Sequence, residues 1–142
     1  MTQAEFDAIV AAHALWLADP EQGECADLTG ADLSDVKLRG VKLHNANLHG
    51  VDLRYMDMTG ADLSGADLTR ANMSGAYLNR ANMSGAYLNR ANMSGAKLLC
   101  ANLSGASLRD ADMRGADLRC ATLRYAILRG ADLRGADLRG AT

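Results

Sequence analysis

The sequence predicts an all-β solenoid preceded by a helix, and three observations carry that reading. Leu or Met occupies every fifth position from Leu28 to Leu138, twenty-three times without a gap. Two residues before each stands a small or apolar residue, Ala in most units, with Val36, Val41, Val51 and Met56 as the exceptions. The remaining positions are rich in Gly, Ser, Thr, Asn and Arg, residues of turns and surfaces. A period of five matches neither the 3.6 residues of an α-helix nor the alternation of an uninterrupted strand, so the chain turns once per unit.

The first element lies outside the repeat. In residues 1–25, Phe6, Ile9, Val10, Leu15, Trp16 and Leu17 are mixed with six alanines. They predict a helix of about four turns that stops near Asp19-Pro20. Phe6, Ile9 and Trp16 are expected to cap the first coil of the solenoid, whose apolar interior and free strand edge need covering. The chain divides into a capping helix with its connector, 1–25, and a repeat region, 26–142.

Within each unit, Ala-Asp/Asn-Leu-x-x, the Ala and Leu are two apart and share one face of a short extended segment. The Asp or Asn between them points the other way. Winding such triplets round corners fills the inside with Leu, Met and Ala, so Leu28, Leu33, Leu53, Met73, Leu78, Met93, Met113 and Leu133 are the expected structural core. The outward Asp and Asn are read as partners for backbone donors at the corners.

These units resemble those of the pentapeptide repeat family over 117 of 142 residues. The resemblance implies a right-handed quadrilateral β-helix with four units to a twenty-residue coil, about six coils in all. At about 4.8 Å between strands the tube is roughly 28 Å long. Residues twenty apart then stack, which aligns Asp32, Asp52, Asn72, Asn92, Asp112 and Asp132 in one outward column. The string RANMSGAYLN at 70–79 repeats at 80–89 and begins again at 90. Copies ten apart fall on opposite sides of the tube, and their identity points to recent duplication or to deliberate construction.

Composition narrows the function. Net charge is −2, without the positive excess of a general nucleic-acid binder. It is nevertheless segregated: −8 over residues 1–67, +4 over 68–108 and +2 over 109–142. No stretch approaches the roughly 20 apolar residues of a membrane span, and Cys25, Cys100 and Cys120 form no paired framework. A cytoplasmic protein with free thiols is the expectation. No phosphate loop, metal-binding helix or nucleophile elbow is present, so no catalytic residue, cofactor, metal or small-molecule substrate is assigned. His44 and His49, five apart, read as solvated surface histidines on neighbouring sides rather than as a metal pair.

Two surface features remain. Seven successive units carry Arg after the central apolar residue, from Arg109, Arg114 and Arg119 to Arg139, and read as a salt-bridged rim. Leu99 and Cys100, with Tyr125 and Ile127 a coil further on, form the one candidate apolar break in a polar exterior. The expected function is a non-enzymatic scaffold that binds a protein partner, with no direct nucleic-acid or membrane binding. The final coil, in register to Thr142, is expected to meet a second copy in a homodimer. The alternative, implied by the resemblance, is a DNA-mimicking protein that binds DNA gyrase or topoisomerase. Acidity confined to the N-terminal half and the lack of a central Phe weigh against it.

Overall fold

The computed structural model describes residues 1–142. Residues twenty apart pair as parallel bridges, from Asp27 with Asn47 to Asp117 with Asp137, so four units complete one coil and the tube has four faces. Face 1 runs through Asp27, Asn47, Asp67, Tyr87, Ser107 and Ile127, and face 2 through the column from Asp32 to Asp132. Lys37, Asp57, Tyr77, Lys97, Asp117 and Asp137 follow on face 3. Face 4 carries Lys42, Asp62, Asn82, Asn102 and Thr122.

One bonding scheme repeats around these faces. The Asn47 amide donates to the Ala26 carbonyl at 2.9 Å, and the Leu28 amide to the Asn47 carbonyl at 2.8 Å. Each corner is closed locally, as by the Ala31 amide on the Leu28 carbonyl at 2.9 Å. The carboxylate or amide oxygen of each outward Asp or Asn accepts from the backbone two residues on, for example Thr29 onto Asp27 at 3.0 Å and Ser94 onto Asn92 at 3.0 Å. This satisfies a corner donor that the ladder leaves free.

The fifth residue of every unit from Gly30 to Gly140 lies in the left-handed region, Asp35 alone excepted. Nine of these residues are not glycine, among them Asn45, Tyr55, Arg80 and Cys100. Such a conformation costs an L-residue on the order of 1 kcal/mol. Tyr55 shows why the glycines that remain matter: its ring lies 2.5 Å from where a Cβ on Gly75 would sit.

Around Asp35 the first coil departs from the scheme. Six bonds that the register places between residues 30–38 and 49–57 are not formed, from the Gly30 amide through those of Leu33, Asp35 and Leu38 to those of Asp52 and Asp57. Neither Asp32 with Asp52 nor Lys37 with Asp57 pairs. One coil further on all six counterparts are present, the Leu53 amide on Asn72 at 2.8 Å and the Met58 amide on Tyr77 at 2.8 Å among them. A cleft of about 700 Å³ lies along the outside of this seam, between Ala31 and Val51. Behind it the Leu column stays buried, with Leu33 1 % and Leu53 0 % exposed, while Ala31 and Met56 are partly exposed at the cleft.

Helix α1 spans Gln3–Ala18, as the spacing of its apolar residues predicts. A capping box opens it: the Glu5 amide donates to the Thr2 hydroxyl and the Glu5 carboxylate accepts from the Thr2 amide. It ends at Asp19, before Pro20. Phe6 is buried in the same cluster as Leu28 and Leu33, while Ile9 and Val10 pack against that cluster and remain partly exposed. The helical segment also takes up backbone groups of the first coil. The Met1 amino group donates to the Asp32 carbonyl at 3.0 Å, and the Lys37 amide donates to the Gln3 side chain at 2.8 Å. No helix is long and apolar enough to cross a membrane.

The core is a continuous column of Ala, Leu and Met. Leu28, Leu33, Leu53, Met73, Leu78, Met93 and Met113 are all buried in it. Leu133 is not: it packs against the cluster but stays partly exposed, because no coil stacks on its far side.

Candidate interaction surface

The side chain that joins helix to tube is His13, which is fully buried. Its Nδ1 accepts from the Ala26 amide at 3.0 Å, and its Nε2 lies 2.9 Å from the His44 carbonyl. One nitrogen accepts and the other donates, so this is the neutral ring protonated on Nε2. Burial pushes its pKa below the ordinary value. Trp16 stacks on it at 5.6 Å between ring centres, which places Trp16 beside the joint rather than in the core.

His44 corrects the expectation of a solvated surface histidine. Its ring meets His13 edge-on at 6.0 Å, and its Nδ1 is buried without a hydrogen-bond partner. The helix covers what the repeat alone would expose. The role of His13 in this joint escaped sequence reasoning, because a lone His in an Ala-rich helix does not by itself say what it faces. The signal was its place seven residues from Phe6, two turns along the same face.

The arginine rim divides into two kinds. Arg114 grips Asp112 through Nε at 2.8 Å and Nη2 at 2.6 Å, and Arg119 grips Asp117 at 2.8 Å through both. Arg134 with Asp132 and Arg139 with Asp137 repeat the fork. Hydrogen bonds from these guanidinium groups hold the Asp132 and Asp137 carboxyls at about 2. Arg109, Arg124 and Arg129 follow Ser107, Thr122 and Ile127 instead of Asp, and none has an ionic partner within 4.0 Å. The rim is salt-bridged only where an Asp stands two residues earlier, a signal readable in the sequence.

The apolar patch is also corrected. Leu99 and Cys100 lie on the edge between faces 3 and 4, Tyr125 on the edge between faces 4 and 1, and Ile127 on face 1. Face 4 separates the first pair from the other two. Leu99 is only partly exposed, and its amide donates to the Asn79 side chain at 3.1 Å. Nor is this the one break in the polar exterior, since Tyr55, Tyr77 and Tyr87 are all exposed, Tyr55 by 73 %. Tyr125, 85 % exposed, lies under the Arg124 guanidinium at 5.8 Å. Cys100 and Cys120 are exposed free thiols, and Cys25 is a partly buried one.

Comparison with known proteins agrees with this architecture. The family model for pentapeptide repeats matches in eight copies, over residues 26–65, 46–85, 66–98, 86–124 and 116–142. Among solved structures, the chain is similar to Rfr23, a pentapeptide repeat protein from the cyanobacterium Cyanothece 51142. The two are 31 % identical with a TM-score of 0.57, over 72 % of this chain and 63 % of that one. The chain thus spans just under two thirds of the length of Rfr23. HetL, a pentapeptide repeat protein involved in heterocyst differentiation regulation from Nostoc sp. strain PCC 7120, is 32 % identical over 84 % of this chain and 68 % of its own, with a TM-score of 0.39. QnrB1, a plasmid-mediated fluoroquinolone resistance protein, is 20 % identical over 87 % and 69 %, with a TM-score of 0.34. No curated protein sequence matches.

Proposed function

The chain belongs to the pentapeptide repeat family, whose members form right-handed quadrilateral β-helices, and we propose that it serves as a non-enzymatic scaffold that presents its outer faces to a protein partner. One observation carries this reading: the outward Asp and Asn side chains of the regular coils are engaged in holding the tube. Asp and Asn cap the corners, the Asp-x-Arg forks close on themselves, and no three His, Cys, Asp or Glu gather where a metal could sit. Within this reading α1, with Phe6, Ile9 and Trp16, acts as the cap of a tube of about six coils.

The test compares the wild-type chain with a variant carrying Arg109→Glu, Arg114→Glu and Arg119→Glu in capture from native lysate. A specific protein retained by the first and lost by the second is the expected result, and capture unaffected by the reversal counts against the surface. The gyrase-binding alternative is checked by DNA supercoiling. Inhibition or protection that disappears when Asp52, Asp57, Asp62 and Asp67 are changed to Asn supports it, and no effect removes it. Self-association through the last coil, where Leu138 is 40 % exposed, is tested by sedimentation equilibrium at low and high salt. Screening the arginines should strengthen an end-to-end dimer, and a monomer under both conditions excludes one.

A further inference from the structure

The edge between faces 1 and 2 gathers arginines that are not forked onto an Asp. On the edges between faces 2 and 3 and between faces 3 and 4, Arg114, Arg119, Arg134 and Arg139 are forked onto an Asp two residues earlier. Along the edge between faces 1 and 2, Arg109 follows Ser107 and has no Asp to fork onto, while Arg70 and Arg90 stand one place later in their units, at left-handed corners three residues after Asp67 and Tyr87. Arg70 and Arg109 have no carboxylate within 4.0 Å, and Arg90 approaches Asp110 only at 4.0 Å. These three guanidinium groups line one groove of about 510 Å³ with no hydrophobic residue in its wall. Thr69, Asn89 and His49 add further polar groups.

We propose that this groove binds a phosphoryl group. A single carboxylate is gripped elsewhere in the molecule by one arginine, as Asp112 is by Arg114. Three unforked guanidinium groups around one cavity exceed that need. They match a group with a charge of about −1.5 to −2 and three acceptor oxygens. Thr69 and Asn89 offer neutral donors of the kind such oxygens also accept. Two acids bound the site. Asp110 closes one end, its carboxylate leaning over the Gly130 corner, and Asp67 stands 3.9 Å from His49 Nδ1. Free phosphate and a phosphorylated serine or threonine on a protein share this chemistry.

The proposal goes beyond the scaffold reading, and its test involves no protein partner. Calorimetric titration of the full chain uses three probes: inorganic phosphate, a short glycine-flanked phosphoserine peptide, and the same peptide unphosphorylated. Arg70→Asn with Arg90→Asn removes two of the cations while keeping a residue that tolerates the left-handed corner. Arg134→Gln with Arg139→Gln removes the same charge from forked positions and serves as the control, each variant being checked for an unchanged circular dichroism spectrum. Binding of a phosphate-bearing probe that weakens about tenfold or more in the first variant and stays within about twofold in the control is the expected result. Asp110→Asn should strengthen it. Binding of the phosphopeptide alone identifies a protein source, and binding of both probes identifies the free anion as sufficient. No binding of either, equal loss in the control, or equal binding of the unphosphorylated peptide overturns the proposal.

Discussion

Two successive coil intervals carry the same kinds of residue and are held together differently. Between the first and second coils, on faces 2 and 3, six ladder bonds are missing, whereas between the second and third the same six are formed. Yet the central Leu and Met column stays buried across the first interval as across the second, with Leu33, Leu38, Leu53 and Met58 all buried, although Ala31 and Met56 at the cleft are partly exposed. Stacking of the inward column and lacing of the backbone are therefore separable. Burial keeps the coils together, and corner geometry decides whether their edges meet. The seam flanks the one corner, Asp35, that is not left-handed, and the same stretch is bonded to the helical segment through Asp32 and Lys37.

The largest expected difference between the intervals lies in the core. Leu78→Ala, in the laced region, should destabilise by about 2 to 5 kcal/mol, because tight neighbours cannot close over the cavity. Leu33→Ala should fall at or below the low end of that range, since an unlaced coil can settle inward. Urea melts of both variants decide it, and equal losses would mean that the seam gives the core no freedom to relax. Next in size is amide protection. The Leu33, Leu38, Asp52 and Asp57 amides should exchange with solvent at least about a hundredfold faster than those of Leu53, Met58, Asn72 and Tyr77. Comparable rates by NMR would place the lacing of the two intervals on a par in solution.

A smaller effect concerns the joint between helix and first coil. His13 is buried in its neutral form with its pKa lowered, so the unfolded chain binds the proton more readily than the folded one. The contribution of His13 is complete above the unfolded value of about 6.5. It declines as pH falls toward the lowered native value, and is lost below it. Thermal melts between pH 7.5 and 5 should show this decline in the wild type and a weaker one in His13→Leu. Parallel curves would assign the pH dependence to other groups. The smallest changes belong to the regular surface. Arg80→Gly should stabilise by up to about 1 kcal/mol by relieving a left-handed corner. Ser84→Ala should be silent, because the Ser84 hydroxyl makes no hydrogen bond and only its backbone amide and carbonyl are engaged.

Much of this architecture is legible in the residues. The five-residue period fixes which side chains face inward, and the column from Leu28 to Met113 follows from it directly. Helix α1 is readable from Phe6, Ile9 and Val10 together with the stop at Pro20. The seam is not: Ala31-Asp32-Leu33-Ser34-Asp35 conforms to the repeat as well as Ala61-Asp62-Leu63-Ser64-Gly65 does, and Asn45 and Asp110 turn left-handed where Asp35 does not. Side-chain identity underdetermines the corner, because contacts from outside the repeat act on it. The apolar patch failed for a different reason. Leu99 and Ile127 approach in sequence count but are assigned to faces by their remainder after division by twenty. The split of the arginines was accessible, since Asp-x-Arg against Ser-x-Arg or Ile-x-Arg distinguishes a forked guanidinium from an unforked one.

The repeated decad has a further consequence. Tyr77 stands on face 3 and Tyr87 on face 1, so copying ten residues moves the copy to the opposite side of the tube. Gain or loss of one unit anywhere in the regular coils would preserve the core, because every unit supplies the same inward pair. It would also turn everything downstream by a quarter revolution about the axis. In this architecture a change in length acts as a change in orientation: the two ends can be redirected relative to each other without altering a single contact type. A pattern of binding groups on one face is thus disrupted far more readily by a five-residue slip than by most substitutions within it.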